Sequence, residues 1–409
     1  MKILILGASG FIGKSIHKSL KNSSHEVIPS NSKYINFSNL KHSKELLKKL
    51  ENIDIVINSI GIIAETKTKT FEQIHTLSPI VLFDASKKAG VKKIIQISAL
   101  GSQNGTTNYH ISKHRADEHL KSLGLDYAIL YPSIVYGDDG KSTALFQGLA
   151  SLPIAPLVKD GSQLLQPIRI EDLVNIVKKS IDSKSSKIEL NVVGSEPISY
   201  KVLLQTFRKW LGYTPSKSLS IPSIGIDTVG KILDEPTINN DSIIMLNAGN
   251  SADVEPLTKF LGYTPISIQK NLAQKEAYNS QKLYASLYLL RPLLKLIIGL
   301  VWIWSGIVSA FLYPLPLALE LLHDVGISSP LDIPLLYVAS FLDIIIGIMT
   351  IIGYRLQLML KFQILVIIIY TLLLTLFAPH HWLHPFGPIL KNIPLVFTIY
   401  ILSRLEKFR

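Results

Sequence analysis

The first thirteen residues confine the start of the chain to one kind of fold. An apolar strand, Ile3 to Leu6, runs into Gly7-Ala8-Ser9-Gly10-Phe11-Ile12-Gly13, and a helical stretch follows from Phe11 to Leu20. Gly7 permits a tight turn after the strand, Gly10 lets the main chain approach a pyrophosphate, and Gly13 lets the helix pack closely on the sheet. The phosphates then sit against a helix N-terminus. A glycine triplet alone is weak evidence, but the strand before it and the helix after it are the context that a dinucleotide site requires. Ser9, Phe11 and Ile12 lie in the same turn and join the three glycines as candidate cofactor contacts.

Strand and helix patterns then alternate. Ile3–Leu6, Glu26–Pro29, Ile53–Asn58, Lys93–Ser98 and Tyr127–Tyr131 read as strands, with helical stretches around Ile16, Leu46, Val81 and Glu118 between them. This rhythm predicts an α/β Rossmann-type parallel sheet with helices on both faces and its ligand at the carboxyl ends of the strands. From about residue 138 the rhythm loosens into Pro- and Gly-rich connections, as a small substrate lobe would. Leu211-Gly212-Tyr213-Thr214-Pro215 and Leu261-Gly262-Tyr263-Thr264-Pro265 repeat one pentapeptide after helical stretches and read as helix stops.

Composition changes after about residue 290, where long apolar stretches replace a Lys-rich, mixed region. Segments near 293–313, 333–353, 358–378 and 389–403 are candidate spans, the first three long enough for about 30 Å of hydrocarbon. The chain thus divides into 1–285, the nucleotide domain with its lobe, and 286–409, an all-α four-helix transmembrane bundle. The fourth span is short and contains Pro394. In a four-span topology Arg291, Lys295, Arg355, Lys361, Arg404, Lys407 and Arg409 fall on one side and Lys391 alone on the other, which places both termini in the cytoplasm of an inner-membrane protein. The short first apolar run becomes a strand and turn, so no signal peptide is expected.

The 409 residues include no cysteine, which excludes disulfides, thiolate catalysis and Cys-ligated metal sites. The formal net charge of +12 is scattered over helices such as Lys41 to Lys49 without interleaved aromatic residues. Solvated helix faces and an anionic lipid surface account for it better than nucleic acid does.

Tyr109 and Lys113 stand four apart, on one face of a helix, and Ser98 ends a strand just upstream. The Lys113 ammonium can favour ionisation of the Tyr109 phenol, making it a proton donor or acceptor near neutral pH. Lys113 can also bond a nicotinamide ribose, and Ser98 a substrate oxygen. The pair alone is common on helix surfaces. Its place after the fourth strand of a nucleotide fold, with Ser98 before it, makes Ser98, Tyr109 and Lys113 the candidate catalytic set.

Together with the glycine turn, Asn58-Ser59-Ile60-Gly61, Ile97-Ser98-Ala99-Leu100-Gly101, Tyr131-Pro132-Ser133-Ile134-Val135-Tyr136-Gly137 and Gln166-Pro167-Ile168-Arg169-Ile170-Glu171-Asp172 resemble the short-chain dehydrogenase/reductase superfamily. The order resembles its extended and atypical branches, including sugar-nucleotide epimerases and the accessory nucleotide-binding subunit of respiratory complex I. The resemblance implies a catalytic Ser98, Tyr109 and Lys113, cofactor contacts at Ser59, Ile60, Gly61, Ser98, Tyr109 and Lys113, and a segment beside the nicotinamide that includes Pro132 and Ile134. Asp172 would start a helix under the lobe. His75 replaces a usual Asn and Tyr131 a usual Arg, which departs from the epimerase relay and its usual sugar-nucleotide substrates. No carboxylate follows the second strand to accept the adenosine ribose. Ser30, Asn31 and Lys33 stand there instead and suit a 2′-phosphate, favouring NADP; Lys33 as a solvated loop charge leaves NAD open.

Residues 290–404 resemble the DoxX-like family through Arg291-Pro292-Leu293, Trp302-Ile303-Trp304-Ser305-Gly306 and His384-Pro385-Phe386-Gly387-Pro388-Ile389-Leu390-Lys391-Asn392-Ile393-Pro394. Some members of that family are linked to quinone-dependent oxidoreduction, which admits a quinone partner. Asp343 lies mid-span, either a proton or head-group contact or a hydrogen-bonded interhelical residue. Ser305 and Gly306 read as close helix packing. His380, His381 and His384 cluster beside Trp382, but no fourth ligand is evident, so no metal is expected. The sequence therefore points to a membrane-tethered NAD(P)-dependent oxidoreductase that transfers hydride to or from a carbonyl or alcohol, with a lipid-soluble or quinone-like substrate. The alternatives are a non-catalytic NAD(P)H-binding structural or assembly subunit, and a bundle that itself handles protons or quinone with the nucleotide domain as sensor.

Overall fold

Alternation along the first strand sets the layers of the N-terminal region. In β1 (Lys2–Leu6), Ile3 and Ile5 enter one apolar cluster and Leu4 and Leu6 another, so both sheet faces are covered, as a parallel sheet requires. A computed structural model of the chain describes residues 1–40, 42–222, 224–385 and 387–406. Lys41, Phe386, Lys407 and Arg409, named above, lie outside the described residues. Contacts divide the chain into two units, Met1–Lys231 with Glu235–Ser286, and Ile232–Asp234 with Leu287–Arg409.

The first unit places β1 beside β2 (Glu26–Ser30), β3 (Ile55–Asn58), β4 (Lys93–Ile97), β5 (Asp126–Pro132) and β6 (Ile188–Val192). Their order is β6-β5-β4-β3-β1-β2, parallel throughout. β6 is a strand that the sequence pattern did not single out; its residues alternate between buried and exposed. One face carries α1 (Phe11–Leu20) and α6 (Ile170–Asp182), through Ile16, Leu20, Leu173 and Val177. The other carries α2 (Lys44–Leu50), α3 (Ser78–Lys88) and α4 (Asn108–Ser122), through Leu46, Phe83 and Leu120. Each such buried Leu or Phe contributes about 1.5–3 kcal/mol of transfer free energy.

The chain turns from β1 to β2 on one side and to β3 on the other, so the strand order reverses between β1 and β3. Outside their carboxyl ends lies the crevice where open α/β sheets take ligands. A smaller lobe gathers α5 (Lys141–Ser151), α7 (Tyr200–Trp210) and α11 (Ile268–Ala273) around Ala150, Leu203, Phe207 and Leu272. Two short helices, α8 (Ile226–Ile232) and α9 (Asn240–Ala248), precede α10 (Glu255–Leu261). Gly212 and Gly262 have φ of 82° and 83°, the first separated from α7 by Leu211 alone and the second directly after α10. Both repeated pentapeptides are left-handed helix stops.

From Leu287 on the second unit is helical, and its first helix starts within the first unit, before Ser286. α12 (Asn279–Ile307) continues as a π-helical turn, Val308–Leu312, and is followed by α13 (Leu315–Asp324), α14 (Asp332–Ile352), α15 (Leu356–Phe377) and α16 (Asn392–Leu405). Among the described residues, three stretches, Asn279–Leu312, Asp332–Ile352 and Leu356–Phe377, are long and apolar enough to span a membrane, and only 22–28% of their apolar windows is buried inside the protein. Most of that apolar surface faces outward, as a hydrocarbon solvent demands. Of the four expected spans, three reach a spanning length; α16, the fourth, has 14 residues, fewer than the roughly 20 that 30 Å takes at 1.5 Å per residue, and α13 is a further short helix that the sequence pattern passed over.

Candidate active site

The glycine turn is built by close approach. Gly7 has a φ of 78°, and a Cβ on Gly13 would lie 2.2 Å from the Gly7 carbonyl oxygen and 2.6 Å from Ser59 Oγ. No side chain but hydrogen fits there. Ser59, a candidate cofactor contact, commits its hydroxyl to the Leu6 carbonyl at 2.6 Å and wedges beneath the turn. α1 begins at Gly10 with no side-chain cap, leaving its first N–H groups for an anion. A Cβ on Gly10 would meet only the Gly7 oxygen, at 3.3 Å, so its outer side is open. The turn therefore fits a pyrophosphate. The Phe11 ring faces inward against Gly137 and Gly140, and Ile12 packs on the sheet core.

The end of β2 lies beside this turn, where the Ala8 amide donates to the Ser30 carbonyl at 3.1 Å. Ser30 is buried and Lys33 exposed. Asn31 Oδ1 accepts from the amides of Lys33 and Tyr34 at 2.9 and 3.3 Å, a local turn. Pro132 closes β5. Ile134 is held by its amide, which donates to Asn250 Oδ1 at 3.0 Å.

Lys113 is buried and donates to the carbonyls of Ile97 and Ser98 at 3.2 and 3.3 Å. Its ammonium lies 5.6 Å from the Tyr109 ring centroid and 3.7 Å from where a Gly61 Cβ would stand. Ser98, Tyr109, Lys113 and Gly61 are thus brought together at the carboxyl ends of β3 and β4, next to the switch in strand order. Ile60 belongs to the same turn, its amide donating to Asn58 Oδ1 at 3.3 Å.

The electrostatics correct one expectation. Burial pushes the Tyr109 phenol upward and holds Lys113 down at about 8, with Asp117 opposing the shift. Spacing had predicted that Lys113 would draw the phenol down. In the folded protein the ammonium faces main-chain carbonyls and the ring, and desolvation outweighs charge.

Ser98 is equally committed. Its hydroxyl donates to Asp117 Oδ2 and lies 3.4 Å from Ser102 Oγ. Asp117 is fully buried, and burial raises its carboxyl to about 7 against the opposing effects of Ser98, Lys113 and Gln96. Sequence reasoning missed Asp117. The available signal was its place four residues after Lys113, as Lys113 is four after Tyr109, with Ala116 and Leu120 apolar on either side.

His75 stands on a π-helical turn, Glu72–Leu77, a distortion common at functional sites. Its Nε2 accepts from the Ile62 amide at 3.0 Å, so Nδ1 carries the proton and donates to Ser112 Oγ at 3.2 Å. The Ser112 hydroxyl in turn donates to the Tyr109 carbonyl at 2.9 Å. The ring packs edge-on to Tyr109 at 5.3 Å. Burial, with Lys113 adding, holds His75 well below the ordinary histidine range: it is a neutral brace for Tyr109. Tyr131 is buried and donates to Glu189 Oε2 at 3.1 Å, and Asp172 is held by Arg169 at 3.2 Å on each oxygen.

A parallel sheet with a glycine turn at its switch point and a Ser, Tyr and Lys set beyond the next strand defines a Rossmann-type dinucleotide domain. Residues 3–193 match the NAD dependent epimerase/dehydratase family, and residues 299–400 match the DoxX-like family. The chain therefore joins an NAD-dependent domain of the epimerase/dehydratase type to a DoxX-like domain. Its relatives include the ceramide reductase of Caulobacter vibrioides, 20% identical over 57% of this chain and 77% of that protein. Another is NADH dehydrogenase [ubiquinone] 1 alpha subcomplex subunit 9 of Mus musculus, 24% identical over 41% of this chain. The chain spans 50% of that subunit's length. Among solved structures, UDP-glucuronic acid 4-epimerase from Bacillus cereus, in complex with UDP-glucuronic acid and NAD, superposes with a TM-score of 0.52 at 19% identity, over 70% of this chain and 99% of that one.

Proposed function

We propose that the protein is a membrane-tethered oxidoreductase that reduces a carbonyl on a lipid-soluble substrate, with its nucleotide domain in the cytoplasm beside the inner membrane. The observation that carries this reading is the convergence of Ser98, Tyr109 and Lys113 beside Gly61 and the glycine turn. The bound dinucleotide supplies the hydride. Tyr109, kept protonated by burial, gives its phenolic proton to the carbonyl oxygen as that oxygen gains charge, and Ser98 orients the same oxygen. Lys113 holds the ribose and restores the tyrosine proton. A phenol whose ionisation is disfavoured suits proton donation, hence reduction, better than abstraction. The absence of a carboxylate from Ser30 to Lys33 supports NADPH over NADH. The DoxX-like unit supports a substrate that the membrane concentrates, and similarity to a ceramide reductase agrees with that class.

The experiment is binding and oxidation of NADPH and NADH by the detergent-purified full chain, wild type beside Tyr109→Phe, with a membrane-lipid extract as substrate. Extract-dependent oxidation should fall about 10²–10⁴-fold in the variant, while dinucleotide affinity stays. Similarity to the mouse subunit favours a second reading, a nucleotide-holding assembly subunit. Tight binding without oxidation in either protein selects it.

A further inference from the structure

We propose that Asp324, His380 and His381 form a binding site for a divalent transition-metal ion, zinc by chemical class, at one end of the helical bundle. Asp324 is the last residue of α13. The two histidines belong to a 3₁₀ turn, Pro379–Leu383, that follows α15. The chain therefore brings together two connections about fifty-five residues apart, both at the bundle end away from Gly353, which joins α14 to α15.

The geometry is that of a ligand set. Asp324 Oδ2 lies 3.5 Å from His380 Nε2 and 3.5 Å from His381 Nε2, and the three ligand atoms all fall within 4.8 Å of one another. A tetrahedral ion with bonds of about 2.0–2.1 Å holds its ligands roughly 3.4 Å apart, so each carboxylate–imidazole separation already matches. These are also too long for good hydrogen bonds. His381 Nε2 is buried with no hydrogen-bond partner, although it faces the carboxylate. The two ring centroids lie 4.2 Å apart with their planes tilted by 38°. One cation shared by two neutral rings and a carboxylate resolves the arrangement.

The turn is anchored from behind: Trp382 Nε1 donates to Thr375 Oγ1 at 3.1 Å, which fixes the direction in which its neighbours project. Two imidazole nitrogens and one carboxylate oxygen select zinc and its neighbours over magnesium or calcium, which take oxygen ligands. Three protein ligands leave a fourth position for water. The sequence expectation of no metal is revised because the missing ligand, Asp324, is remote in the chain. The histidines alone had suggested His384 as their partner.

The test uses the full chain in detergent, stripped with chelator and titrated calorimetrically with zinc chloride. Cobalt(II) absorption then serves as an independent reading of tetrahedral geometry. Wild type should bind one zinc per chain, and zinc should raise its melting temperature. Asp324→Asn, His380→Ala and His381→Gln should each weaken zinc at least tenfold and abolish the tetrahedral cobalt spectrum. His323→Ala, whose imidazole pairs instead with Asp332 at 3.1 Å, should bind as wild type does. Circular dichroism of the metal-free variants separates lost ligation from lost folding. No saturable zinc binding by wild type, or equal binding by a folded Asp324→Asn, overturns the proposal.

Discussion

The hydroxyl of Ser98 donates to the buried carboxylate of Asp117, so the group expected to face substrate is turned toward the protein. This makes the Ser98 proton depend on the state of Asp117. With Asp117 ionised, the hydroxyl is held as a donor to the carboxylate and offers substrate only lone pairs. With Asp117 protonated, the carboxyl donates to Ser98 Oγ and frees the Ser98 proton for a carbonyl oxygen.

The sign of the pH dependence follows. Burial raises Asp117 to about 7, so the donating arrangement prevails below that pH and is lost above it. Carbonyl reduction should decline as pH rises through about 7, approaching tenfold per unit. Asp117→Asn presents an amide donor to Ser98 at every pH and should remove this limb, leaving activity at pH 8 at or above the wild-type value. Profiles of kcat/KM against pH for the two proteins decide it. A uniform loss in the variant with the limb intact contradicts the linkage.

His75 offers a stability test on the same site. Its ring is neutral in the fold, accepting from Ile62, and its folded-state pKa lies well below the ordinary value of about 6.5. Below pH 6.5 the unfolded chain takes up a proton there that the folded chain refuses, so His75 costs stability as pH falls. His75→Gln keeps an acceptor for the Ile62 amide and does not titrate. The stability of wild type minus that of the variant should therefore fall below pH 6.5 by up to about 1.4 kcal/mol per unit. The difference, read from denaturant melts, cancels the opposing contribution of Asp117.

What the sequence disclosed about this site was local, and what it concealed was not. The glycine turn and the Tyr109 and Lys113 spacing lie within one turn or one helix, where chain geometry alone fixes neighbours. Desolvation depends on what the rest of the fold places around a side chain, so spacing gave the Tyr109 shift the wrong sign. Asp117 sits outside every motif in the chain, and Asp324 meets His380 and His381 only through the packing of the bundle. β6 escaped notice because, at the sheet edge after a polar loop, its apolar residues alternate with the exposed Glu189 and Asn191. The apolar length of α12, α14 and α15 was plain, whereas α16 and α13 are too short for composition to distinguish span from surface helix.

The glycine turn makes a steric prediction with an internal control. A Cβ on Gly13 meets main-chain atoms of Gly7 at 2.2 and 2.6 Å, which no rotamer change relieves. Gly13→Ala should cost about 1–3 kcal/mol by overpacking and weaken dinucleotide binding, because the turn must open. Gly90 has a φ of 77° and nothing within 4 Å of its absent Cβ. Gly90→Ala should cost about 1 kcal/mol from backbone strain alone and leave binding unchanged. Melts and dinucleotide titrations of the two variants separate the effects.

In the bundle the same steric logic governs the Asp343 contact. A Cβ on Gly347 would lie 2.5 Å from the Gly299 carbonyl oxygen, and one on Gly306 would lie 2.4 Å from that of Ser340. α12 and α14 thus touch backbone to backbone, as small residues permit between membrane helices. That approach lets Ser305 Oγ reach Asp343 Oδ2 at 3.4 Å, so Ser305 contributes a hydrogen bond as well as small size. Gly347→Leu should force the helices apart, lower the melting temperature of the detergent-solubilised chain and break this contact. Because the chain has no cysteine, the pair Ser305→Cys and Asp343→Cys reports it directly. A disulfide should form readily with Gly347 present and fail to form with Leu in its place. Equal cross-linking in both backgrounds would show that the glycine contact does not set the helix spacing.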